Sequence, residues 1–301
     1  MDWLERISTT CFAASYLVVL ALEISRTLFR AKWWKWIVIS TSLAGIFAHV
    51  VYMTAQKIIV FDNNGLIVGG WTGWFLGAAL CLMFAYLWAA LRQGDSVVGL
   101  FIIPLVLLAI TIGSWPGQQT DFTPSETRTI WNAIHGLSLL LSTAVVGLGF
   151  LFGIMYLIHS RRLKQKKLSR MFRMPSLEWL QASSEKSLLV SAALLVVGVI
   201  SGVAVNLASR QMGDPVLAWN DPVVWSSAVL LTWLLIALAI NFFYKPVRPG
   251  RKIAYLVVAC FCFFVLEIGI VWSSGHAVAR QEAEQAPANV APLVVDRQVQ
   301  S

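Results

Sequence analysis

Charge is scarce in this 301-residue chain: Asp, Glu, Lys and Arg together make 13% of it, against 58% apolar residues and a mean hydropathy of +0.72. A soluble domain of this size could not hide that much apolar surface in one core, so lipid must solvate part of it. Cysteine is also sparse. Cys11, Cys81, Cys260 and Cys262 all lie in apolar runs, and no CxxC is present, which removes the pattern of a thiol relay. Cys260 and Cys262, two apart on a helix, point in different directions and are packing residues. The absence of CxxCH excludes a c-type cytochrome. A basic n-region is missing too, since Asp2 and Glu5 stand where a cleaved signal carries positive charge. A net charge of +8 with basic residues in short loops between apolar runs argues for membrane topology, and against nucleic acid.

What is present is a series of long apolar runs. A span needs roughly 20 mainly apolar residues to cross about 30 Å of hydrocarbon. The runs predict an all-α polytopic membrane protein with eight transmembrane helices near 7–24, 36–56, 71–91, 96–115, 130–158, 187–209, 222–243 and 253–275. The alternate loops 25–35, 92–95, 159–186 and 244–252 hold 17 of the 23 Lys and Arg residues, and the other segments hold 6. The richer set belongs in the cytoplasm, so both termini are expected outside. The basic loop Arg161–Lys186 is read as a topology signal ahead of a grip on anionic lipid. Ile58–Gly70 sets a turn signal between two β-prone runs and predicts a short hairpin on the outer face. Residues 1–278 form one expected transmembrane domain, and 279–301, rich in Ala, Glu, Gln and Pro, an expected disordered outer tail.

Three of the four histidines fall toward the outer side. His135 is six residues into the fifth span, with Trp131 one turn before it. His276 follows the eighth span, and His49 lies about 10 Å below the outer surface in the second. His159 sits beside Arg161 and Arg162 at the cytoplasmic end and reads as an interfacial residue. A lone histidine at a helix end is ordinarily solvated, but an ionisable side chain within the bilayer calls for a partner. Two imidazoles on facing helices can clamp a porphyrin, aromatic side chains can cover its faces, and arginines can meet its propionates. Trp219, Asp221 and Trp225 supply aromatic and polar groups on that side, with Arg128, Arg210 and Arg280 nearby. Zinc is disfavoured, because no thiol or carboxylate sits at close ligand spacing to these histidines. Glu267, midway in the last span, is either a proton-relay group or a neutral acid bonded to a neighbour such as Asn206.

Trp131–Lys164 (WNAIHGLSLLLSTAVVGLGFLFGIMYLIHSRRLK) resembles the haem-handling helix of the CcsA/HemX-like cytochrome c assembly family. Pro175-Ser-Leu-Glu, Trp219–Trp233, Gly250-Arg-Lys-Ile-Ala-Tyr and Ser274-Gly-His276 follow in that family's order. The likeness is loose at the start and better over 130–278. Of the family's WWD segment only Trp219, Asp221, Pro222 and Trp225 are kept, with Asn220 inserted. The resemblance implies that His135 and His276 ligate the iron of haem b on the outer face, and that His49 holds haem in transit. It implies a component of a cytochrome c assembly system in a bacterial inner membrane, with no autonomous enzyme activity. Its partners would be a second membrane subunit and apocytochrome c. Two rival readings stand beside it: a HemX-like accessory that tunes haem supply, and a proton-coupled transporter using Glu267 and His49.

Overall fold

In a computed structural model, residues 9–28, 33–56, 58–62, 65–68, 70–92, 97–114, 130–165, 174–212, 222–244 and 249–285 are described, without the side chains of 28, 59–62, 65–68, 212, 222, 223, 249 and 271–285. They form α1 (Thr9–Leu28), α2 (Trp34–Ala55), β1 (Ile59–Asp62), β2 (Gly65–Val68), α3 (Gly70–Arg92), α4 (Gly99–Gly113), α5 (Ile130–Lys164), α6 (Leu177–Met212), α7 (Pro222–Phe243) and α8 (Pro249–Gln285). The described residues are thus helical apart from one hairpin. In it β1 and β2 pair antiparallel from Ile59–Val68 to Asp62–Gly65, within the segment whose turn signal between two β-prone runs predicts it. Gly70, at φ 58, takes the left-handed turn from the hairpin into α3.

Seven of the helices are long and apolar enough to cross a membrane. The exception is α4, expected over 96–115 but only 15 residues long, about 22 Å against about 30 Å of hydrocarbon. It still runs antiparallel along α3. A Cβ at Gly99 would meet Tyr86, and one at Gly113 would meet Phe75, so α4 covers most of α3.

Successive helices alternate in direction, as side-chain contacts show. Trp34 Nε1 donates to Leu22 O and Thr9 lies against Tyr52, which sets α1 against α2. Lys35 donates to Leu91 O between α2 and α3. Along α5 and α6 the pairs His135–Gly198, Ser142–Ser191 and His159–Pro175 do the same. Lys252 at the start of α8 donates to the carbonyls of Asn241 and Tyr244 at 2.9 and 2.6 Å, which satisfies orphan acceptors at the end of α7. One core joins α1–α5, a second joins α6–α8, and α5 stands between them, packed on α3 and α4 as well as on α6 and α8.

The basic segment 161–186 departs from the expectation of a loop. Its last ten residues are helix, because Ser176 Oγ accepts the Trp179 N–H at 3.2 Å and so caps α6 directly after Pro175. Trp179 then packs edge-on to Phe152 at 5.3 Å, and Leu180 is fully buried.

Candidate functional site

One end of the bundle carries the end of α2 and the starts of α5 and α7, and the end of α8 returns to it. His49 on α2 and His135 on α5 both lie toward this end, each seated on a different neighbouring helix. His135, in the second turn of α5, turns toward α6. Its Nδ1 lies 2.7 Å from Gly198 O. A carbonyl only accepts, so Nδ1 carries a proton, and in the neutral imidazole Nε2 keeps its lone pair. Ser201 donates to the same carbonyl at 2.9 Å, which holds the acceptor in place.

The imidazole fits there because of glycine. A Cβ on Gly202 would come within 2.8 Å of His135 Cε1 and 2.9 Å of Nδ1, and one on Gly198 would collide with Leu139. Gly198-Val-Ile-Ser-Gly202 is thus a small-xxx-small seat on which α5 approaches closely. The spacing is legible in the sequence, although the histidine alone draws attention there. Nδ1 bonded to a backbone carbonyl, with Nε2 free, is the tautomer that metal-ligating histidines use.

His49 is placed differently. It is 0% exposed, inside the core shared by α1 and α2. Phe12 stacks on its ring at 4.2 Å with 6° between the planes, and Tyr16 OH is 3.1 Å from Nδ1. Its Nε2 is buried with no hydrogen-bond partner. Neither Phe12 nor Tyr16 is marked by sequence alone, since the pairing depends on the register of two helices.

Among the other expected site residues, Trp131 and Trp225 are 43% and 63% exposed on the outside of α5 and α7. Arg210 lies in the last turn of α6. His276 and Arg280 fall within α8, their side chains outside the described ones, and Arg128, Trp219 and Asp221 lie outside the described residues altogether. His159 Nδ1 bonds to Pro175 O at 3.0 Å and ties the α5–α6 connection at the opposite end. Among the described residues no group of three His, Cys, Asp or Glu side chains could hold a bare metal ion. The candidate donors present are single imidazole nitrogens, on His135 and on the buried His49, and one imidazole suits a metal that brings most of its own ligands.

Two carboxylates lie along apolar helices, Glu267 half-buried and Glu23 buried. Glu267 accepts from Ser227 on α7 at 3.1 Å, which gives the bonded-carboxyl reading a partner. Glu23 was not singled out in the sequence and is 1% exposed. It faces Arg26 at 2.8 Å and accepts from Tyr86 OH at 2.5 Å. The rule that marks Glu267 marks it equally, since Glu23 lies within the first apolar run with Arg26 three residues on.

No curated protein and no solved structure matches the chain. A family model described as cytochrome C assembly protein matches residues 8–276, from the start of α1 to the last histidine. That match covers the seven long apolar helices, the glycine seat of His135 and the buried His49. The chain belongs to the cytochrome c assembly protein family, and is a multi-pass membrane protein of cytochrome c maturation.

Proposed function

We propose that the protein binds haem b and holds it at the outer face of a bacterial inner membrane for attachment to an apocytochrome. The observation that carries this reading is the His135 imidazole, bonded through Nδ1 to Gly198 O and free at Nε2. His135 on α5 and His276 on α8 would hold the haem iron between them. His49 is an inner ligand for haem in transit, supported by its buried Nε2. Trp219, Trp225 and Trp131 flank the macrocycle with Asp221, and Arg210, Arg280 and Arg128 pair with the propionates. The basic residues of the opposite end, among them Arg161, Arg162, Arg251 and Lys252, set that end in the cytoplasm, with both termini outside. Residues 1–278 act as one domain, and the outer tail starts inside α8, which continues to Gln285 where a disordered segment is expected from 279.

Haem, when bound, supplies the vinyl groups that apocytochrome thiols take up. This chain's part is to fix the iron between two imidazoles and leave an edge of the ring open. A second assembly subunit in the membrane and apocytochrome c are the partners. A strain lacking the gene is expected to lose haem-stained c-type cytochromes while total haem stays near wild type. Restoration by the wild-type gene and failure with His135→Ala support the reading. Normal c-type cytochromes with reduced total haem point to an accessory of haem supply and overturn it.

A further inference from the structure

We infer that Tyr16 is the positioning residue of the inner site: by accepting the Nδ1–H of His49 its phenolic oxygen leaves Nε2 bare for iron, and by donating to Nδ1 it closes that nitrogen. The inference rests on reading His49 as a haem ligand.

A neutral imidazole carries one proton on one of two nitrogens. With the proton on Nδ1, Tyr16 accepts and the Nε2 lone pair is free. With the proton on Nε2, Tyr16 donates to Nδ1 and Nε2 is closed to a metal. The tautomers differ only in where that proton sits; Tyr16 keeps its own and turns the O–H toward or away from the ring. A hydroxyl is one of the few partners that can serve both forms. A carbonyl, as at His135, permits only one. The inner site is therefore built to accept and release its ligand, whereas the outer imidazole is held in its ligating form throughout.

The geometry is specific to this exchange. Phe12 stacked flat on His49 restrains the ring, so the Nδ1 edge stays toward Tyr16. Tyr16 reaches it because residue 45, one turn before His49, is glycine. A Cβ there would meet the Tyr16 ring at 2.7 and 3.0 Å. The remaining nitrogen, Nε2, is left buried with no hydrogen bond. An orphaned buried polar atom is costly to leave unpaired, and iron at that atom would remove the deficit.

The test uses the full-length protein purified in detergent after expression with ample haem, as wild type, His49→Ala, Tyr16→Phe and Gly45→Ala. His49→Ala is expected to lower the haem content. Tyr16→Phe, which keeps the ring, is expected to retain the inner haem about 10-fold less well, the scale at which outer-shell partners act on metal ligands. Its residual haem is expected to show a raised reduction potential, because an Nδ1–H without an acceptor makes a poorer donor of Nε2. Gly45→Ala, which displaces the Tyr16 ring, is expected to move both quantities the same way. If His49→Ala loses haem while Tyr16→Phe and Gly45→Ala keep wild-type affinity and potential, the role of Tyr16 is overturned and that of His49 stands. If His49→Ala keeps the full haem complement, the reading of His49 falls and this inference with it.

Discussion

Gly202→Leu is expected to remove the outer haem as completely as His135→Ala does, although residue 202 donates no atom to iron. A single Cβ at Gly202 already falls within 2.8–2.9 Å of the His135 ring, and a leucine fills the seat. The ring must then leave Gly198 O, losing both its hydrogen bond and its tautomer. Outer-shell losses cost roughly 10–100-fold in metal affinity, and losing the ligand's position costs at least the upper end of that range. Haem content per protein, read from a pyridine haemochrome, measures this. Gly202→Ala is the graded variant and is expected to fall between wild type and Gly202→Leu. The helices should stay paired in both, because α5 and α6 also meet through Ser142–Ser191 and Phe152–Trp179. A Gly202→Leu protein with wild-type haem would mean that His135 ligates from another position or does not ligate.

The second large effect concerns stability. Glu23→Ala is expected to destabilise the fold by about 3–5 kcal/mol, the usual result of removing one member of a buried ion pair. It leaves Arg26 without its carboxylate and Tyr86 without an acceptor at the junction of α1, α3 and α4. The neighbouring Gly99, whose Cβ would lie 2.9 Å from the Glu23 carboxyl carbon, shows how closely α4 closes over the pair. Thermal denaturation in detergent, followed by loss of monodisperse protein, gives the comparison. Tyr86→Phe removes one hydrogen bond and should cost about 1.5–3 kcal/mol, less than Glu23→Ala. Equal melting temperatures for Glu23→Ala and wild type would show that the pair is neutral to the fold.

The architecture was largely open to reading because the bilayer imposes a simple rule on composition. Each of the eight apolar runs became a helix, and the β-prone run after α2 became a hairpin. The errors fall where that rule is silent. Leu177–Lys186 is polar enough to pass for loop, and its helix depends on the Ser176 cap and on Trp179 meeting Phe152 across the seam. The run holding α4 was long enough on paper, but the helix stops at Gly113.

The site was legible in part. Histidines in apolar surroundings are conspicuous, so His135 and His49 stand out as candidates. What positions their rings is hidden, because it lies on other helices: Gly198 and Gly202 on α6 for His135, and Phe12 and Tyr16 on α1 for His49. Such pairings across 33 or 63 residues follow from helix register, which no local pattern encodes. Glu23 is a different case, since the rule that marks intramembrane carboxylates applies to it fully.

The most direct test of the central claim is an absorption spectrum of the detergent-purified protein, oxidised and then dithionite-reduced, beside that of His135→Ala. A low-spin spectrum with sharp reduced bands in the wild type, lost or converted to high spin in His135→Ala, is the predicted result. A wild-type protein without haem after expression with ample haem, or a spectrum unchanged by His135→Ala, would contradict it.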